Sequence, residues 1–286
     1  MKPTTLCALL AAGLLLAGCQ AAAPMPPAAT HAPLAAPQLS ANLQPSKPRG
    51  LTVFAAASLT ESFAEIAEAF KTQNPGVEIQ FNFAGSQQLA QQLAQGAPAD
   101  VFASANSALM DAAVLEGRVA EASAQTFIRN RLVVIYPEEN PASLARLQDL
   151  AKPGLKLVLA AKEVPVGGYS LQFFEKASQP AGFGSDFEEK ILSNVVSYEE
   201  NVRGVYSKVA LGEADAGIVY ATDIPKDNPD GVGKLDIPDE LNVVVSYPIA
   251  PVQDSANPDL AASFVEFVLS PASQTILADY GFSPTH

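Results

Sequence analysis

Residues 52–63 read TVFAAASLTESF. Thr52, Val53 and Phe54 suit a buried strand. Leu59, Phe63, Ile66 and Phe70 then recur every three or four positions, which sets one apolar face on a helix. Between the two lie Ala55, Ala56, Ala57 and Ser58, minimal side chains and one hydroxyl at a strand-to-helix junction. Small residues there let something approach the backbone closely. Ser58 also stands three before Glu61, the spacing of a capping box. Alone, the stretch suits a plain helix cap.

The same rhythm runs outward along the chain. Asn74-Pro75-Gly76 stops the first helix. Val77, Ile79, Phe81 and Phe83 alternate strictly, as in a strand. A second helix starts near Ser86, again after a small-residue junction, and ends at Gly96. Segments 100–104, 131–137, 155–161 and 216–223 read as strands, and 241–252 as a long extended segment. Segments 106–117, 143–150, 168–178, 201–213, 258–269 and 271–279 read as helices. This β-α alternation predicts an α/β fold with mainly parallel sheets flanked by helices, in two lobes rather than one. In open α/β sheets ligands sit at the carboxyl ends of strands, so two lobes place the ligand in the cleft between them.

Composition narrows the function. The chain has 286 residues and a formal net charge of −13, which argues against nucleic acid as a partner. A local anion site built from backbone dipoles is still compatible with that charge. The two histidines, His31 and His286, flank the region of β-α alternation. A Ser-His-Asp triad and a Cys/His metal cluster are therefore unavailable there. No phosphate-loop motif occurs, so no nucleotide cofactor is expected. A hydrolase using Ser58 or Ser86 would need a lysine or carboxylate base. A structural envelope lipoprotein would need no ligand at all.

Residues 1–18 read as a signal peptide, with Lys2 followed by the apolar run Leu6–Leu16. The run ends in LAGC (16–19), which resembles a bacterial lipobox and implies lipidation of Cys19. The second cysteine, Cys7, departs with the signal, leaving no disulfide. Residues 19–50 are rich in Ala and Pro and read as a tether.

Serine-bearing junctions at Ser58 and Ser86 put two helix N-termini at one sheet edge, an arrangement suited to anions. VFAAASLTESF, FAGSQQLAQQLAQGAPADVFASA, EVPVGGYS, ENVRGVYSKV and AGIVYATD occur in that order, followed by a terminal YGF. Together these blocks, from Leu51 to Phe282, resemble the molybdate-binding proteins of bacterial ABC importers. The resemblance implies a type II periplasmic-binding fold, with lobe I from 51–130 plus 249–286 and lobe II from 131–248. It implies binding of molybdate or tungstate without a cofactor, and no catalysis. It assigns the ligand contacts to the hydroxyls of Ser58, Ser86 and Tyr220 and to backbone N–H of Val166 and Val202. Gly85 stands where the family commonly has serine, and Val166 where it often has alanine. The implied partners are a membrane permease with its ATPase. A lipid on Cys19 would hold a monomer on the extracytoplasmic side of the membrane. Sulfate and other tetrahedral oxyanions are the alternatives. Arg203, beside Val202, reads as an exposed or supporting arginine, and Asp100 as a strand-end group.

Overall fold

The computed structural model describes residues 49–179, 182–228 and 231–285. The signal peptide, Cys19 and nearly all of the tether lie outside the described residues. Two five-stranded sheets share the fold. The first takes β1 (Arg49–Ala56), β2 (Val77–Ala84), β3 (Val101–Ala103), β4 (Gln125–Asn130) and the late strand β10 (Val245–Pro251). The second takes β5 (Leu132–Tyr136), β6 (Leu157–Ala160), β7 (Val195–Glu199), β8 (Ala216–Tyr220) and β9 (Gly233–Asp236).

The strand orders are β2-β1-β3-β10-β4 and β7-β6-β8-β5-β9. Each sheet is built on one plan. A parallel triplet comes first, then one strand antiparallel to it, then an edge strand antiparallel to that one and so parallel to the triplet. The sheets are thus mixed in pairing, yet four of the five strands in each run the same way, so they are mainly parallel as the alternation predicts. The cause of the reversed strand is the chain path: β5 and β10 each enter a sheet directly after the chain crosses from the other, with no helical crossover to restore the direction. The boundary at 248/249 falls inside β10, which belongs to the first sheet from Val245 onward.

The two crossings lie side by side. Arg131 alone separates β4 from β5, and residues 237–244 lead from β9 back to β10. The Asn242 carboxamide laces them together. Its Oδ1 accepts Leu132 N–H at 3.0 Å, and its Nδ2 donates to the Leu132 and Ile237 carbonyls at 2.9 and 3.1 Å.

Helices α1 (Thr60–Gln73), α2 (Ser86–Ala94), α3 (Ser107–Leu115), α7 (Pro258–Leu269) and α8 (Pro271–Asp279) cover the first sheet. Helices α4 (Pro165–Ala177), α5 (Phe187–Ser193) and α6 (Val202–Ala210) cover the second. The apolar face expected on α1 is the one buried: Phe63, Ile66 and Phe70 are nearly solvent-free. Phe63 meets the rings of Phe81, Phe127 and Phe264 at 5.8–6.3 Å between centroids. A second cluster, with Phe54, Leu93, Phe102 and Met110, fills the space beneath α2 and α3. Segment 143–150 is not a helix. Only a 3-10 turn forms at Leu147–Ala151; the Asp149 carboxylate accepts the N–H groups of Ala145 and Arg146, which caps the start of the turn and holds the preceding residues outside it.

Candidate functional site

The shared sheet plan places equivalent junctions opposite each other. After β1 comes Ser58, and after β6 comes Val166 at the second position of α4. After β2 comes Ser86, and after β7 comes Val202 at the first position of α6. Tyr220 ends β8. All five residues line one cavity, together with small or apolar neighbours that include Ala56, Ala57, Gly85, Ala105 and Val164. The cavity measures about 20 Å³, on a scale where one water needs roughly 10–15 Å³. It suits a small ion rather than an organic molecule.

Each hydroxyl has a defined setting. Ser58 is buried in a 3-10 turn, Ala57–Leu59, and its Oγ lies 3.0 Å from the Tyr247 hydroxyl. The capping box expected there does not form. Leu59 takes the N-cap position of α1 without a side-chain bond, and Glu61 turns to Arg203. A partner 189 positions away wins over the local one. Ser86 Oγ accepts the Ala105 N–H at 3.0 Å, so its own hydrogen stays free for the cavity. The Tyr220 hydroxyl is buried without a hydrogen-bond partner. Burial, with Tyr247 and Tyr169 nearby, raises its pKa well above the usual phenol value, so it is a permanent O–H donor.

The backbone adds more donors. Val166 and Val202 fall within the first turns of α4 and α6, where N–H groups have no intrahelical partner and the helix dipole is positive. Asn201, also in the lining, caps α6 by accepting Gly204 N–H at 3.1 Å. Sequence reasoning passed over Asn201, although an Asn just before an apolar helix face is a cap signal.

Apart from the Tyr220 phenol, no lining residue is ionisable. Neither serine meets a base: Ser58 faces a phenol and Ser86 a main-chain amide. Among the described residues no group of three or more His, Cys, Asp or Glu is placed to hold a metal. Arg203 does not reach the cavity. Its Nε donates to the Ala57 carbonyl at 3.3 Å and its guanidinium pairs with Glu61, so it ties α6 to the Ser58 turn from outside. Other bonds link the two halves around the rim. Gln87 Nε2 donates to the Glu200 carbonyl at 2.9 Å, Gln88 Nε2 to the Glu200 carboxylate at 3.1 Å, and Asn106 Nδ2 to the Tyr169 hydroxyl at 3.1 Å. Gly85 is required for this approach: a Cβ there would stand 2.6 Å from the Glu200 carbonyl oxygen. Asp100 serves β1, accepting the Thr52 N–H at 2.7 Å.

Two α/β lobes framing a small cavity of neutral donors are the arrangement of a protein that binds a small solute. Residues 51–283 match the family described as bacterial extracellular solute-binding protein, and the chain belongs to that family. The molybdate-binding protein ModA of Mycobacterium tuberculosis is 38% identical over 235 residues, spanning 82% of this chain and 85% of the relative. That of Escherichia coli is 34% identical over 240 residues, spanning 82% and 88%. The solved periplasmic molybdate-binding protein of Azotobacter vinelandii shares the fold, with a TM-score of 0.72 at 18% identity over 82% of this chain and 100% of that one.

Proposed function

We propose that this chain captures molybdate between its lobes and delivers it to an ABC permease driven by a cytoplasmic ATPase. The Tyr220 hydroxyl carries the reading. A buried donor with no partner is a standing penalty unless a ligand accepts from it. Tyr220 lines the same cavity as Ser58, Ser86, Val166 and Val202, whose hydroxyls and backbone N–H groups would be the other donors. A dianion entering that space loses its hydration and needs hydrogen bonds in return. Donors to a charged acceptor contribute about 1.5–3 kcal/mol each, so five of them support tight capture without a lysine or arginine. Names of relatives from two bacterial genera specify molybdate as the tetrahedral oxyanion.

Lobe I comprises the segment from Leu51 to Asn130 and the returning segment from β10 onward, and lobe II the segment between. The LAGC sequence supports lipidation at Cys19, which would anchor a monomeric receptor on the extracytoplasmic face of a membrane by a tether of Ala and Pro. Titration calorimetry with molybdate, tungstate, sulfate and phosphate tests the ligand. Molybdate should bind tightly, tungstate comparably because of its similar size, and sulfate and phosphate much more weakly. Equal affinity for sulfate or phosphate would reject the molybdate assignment. Mass spectrometry of the membrane-extracted protein should show a lipid on Cys19, and Cys19→Ser should release it.

A further inference from the structure

A hydroxyl can donate or accept, so three hydroxyls around a cavity do not by themselves select a fully deprotonated anion. The groups behind them can set their direction. Asn130, the last residue of β4, accepts the Arg131 N–H on its Oδ1 at 2.9 Å. That bond orients the amide, so its Nδ2 faces the Thr222 hydroxyl at 2.8 Å and the Tyr247 hydroxyl at 3.4 Å. An amide nitrogen only donates. The Tyr247 oxygen accepts from it, and the Tyr247 and Ser58 hydroxyls lie 3.0 Å apart, where either can donate; in the arrangement inferred below Tyr247 donates its hydrogen to Ser58 Oγ. With its oxygen so engaged, Ser58 turns its own hydrogen to the cavity it lines. Ser86 is held the same way by Ala105 N–H, and Tyr220 has its hydrogen unused.

We infer that Tyr247, oriented by Asn130, is a specificity-determining residue that locks Ser58 as a donor and so closes the site to oxyanions that keep an O–H. Tyr247 is not part of the cavity lining and acts through Ser58. The inference rests on the oxyanion reading of the cavity. An anion such as hydrogen phosphate arrives with a hydrogen that needs an acceptor, and the lining holds no carboxylate to take it. A fully deprotonated tetrahedral dianion meets hydrogens on every side. The chain of bonds from Asn130 through Tyr247 to Ser58 also polarises the last O–H, because donors in series strengthen one another.

The test compares molybdate, sulfate and phosphate binding at about pH 8, where phosphate is mainly hydrogen phosphate. The full chain is used as wild type, Tyr247→Phe, Asn130→Ala, Ser58→Ala and the Ser58→Ala/Tyr247→Phe double variant. Tyr247→Phe keeps the buried ring and frees the Ser58 oxygen. The ratio of molybdate to phosphate affinity should fall about tenfold, and Asn130→Ala should move it in the same direction. In the Ser58→Ala background Tyr247→Phe should shift the ratio no further. Equal weakening of all three anions by Tyr247→Phe would overturn the inference and show a packing role alone. So would a shift in ratio that persists without the Ser58 hydroxyl. A wild-type protein that binds none of the anions would overturn the oxyanion reading itself, a result separate from either.

Discussion

Replacing Tyr220 by Phe removes one oxygen and leaves the ring against Tyr247, 5.8 Å away and nearly perpendicular. The two consequences have opposite signs. With anion bound, the variant loses a hydrogen bond to a charge, about 1.5–3 kcal/mol. At 1.4 kcal/mol per tenfold, affinity should drop roughly 10- to 150-fold. Without anion the variant loses nothing, because the hydroxyl is buried without a partner. Removing an unpaired buried donor leaves the free protein equally stable or stabilises it by up to about 1 kcal/mol. Calorimetric titration gives the first quantity, and thermal unfolding with and without molybdate gives both. The wild-type loss should not grow with alkaline pH, since burial keeps the phenol protonated far above its usual range. Unchanged affinity would refute the reasoning, and so would a drop in affinity matched by an equal loss of stability in the free protein.

Ser86→Ala should weaken molybdate binding by about 1–3 kcal/mol, read by the same titration, because it removes a cavity donor and orphans the Ala105 N–H. Arg203→Ala should change affinity by only about 0.5 kcal/mol, since Arg203 and Glu61 side chains are 26% and 48% exposed. Its effect should appear as faster anion release in stopped-flow mixing, and shrink at high salt. Gly85→Ser should loosen closure, because its Cβ would meet the Glu200 carbonyl, and a distance probe across the lobes should report a wider molybdate-bound state. The Asp223 carboxyl is raised to about 7 by burial, against the opposing pull of Arg203. The folded chain therefore binds a proton that the unfolded chain has released. Stability from this group is full below about pH 4 and lost as pH rises through about 7, by as much as roughly 4 kcal/mol. Asp223→Asn should flatten that slope in denaturant unfolding.

The long, strongly patterned elements were readable in the sequence. The apolar spacing of Phe63, Ile66 and Phe70 gave α1, and the alternation from Val77 to Phe83 gave β2. Strands β4, β7 and β9 were not readable; all three are edge strands, as is β2, which was read because its eight residues alternate. A short edge strand pairs on one side and is half exposed, and so lacks a buried run. QTFIRN and GKLD show neither a hydrophobic block nor a long alternation. The cavity-lining residues stood out because small residues and serine gather at strand ends. What orients them did not. Ser58 resembled a helix cap because Glu61 is close in sequence, whereas Tyr247 and Asn130 are brought to it only by the β4–β10 pairing.

The laced crossings set how the halves can move. One link is a single residue, Arg131, and the other is held against the adjacent Leu132 by two bonds from Asn242. Two short straps tied at the same level act as a door hinge: they permit a swing and oppose sliding or shear. Donors contributed by opposite halves then return to the same mutual positions at every closure. Fidelity of grip is thereby stored in a carboxamide outside the cavity lining.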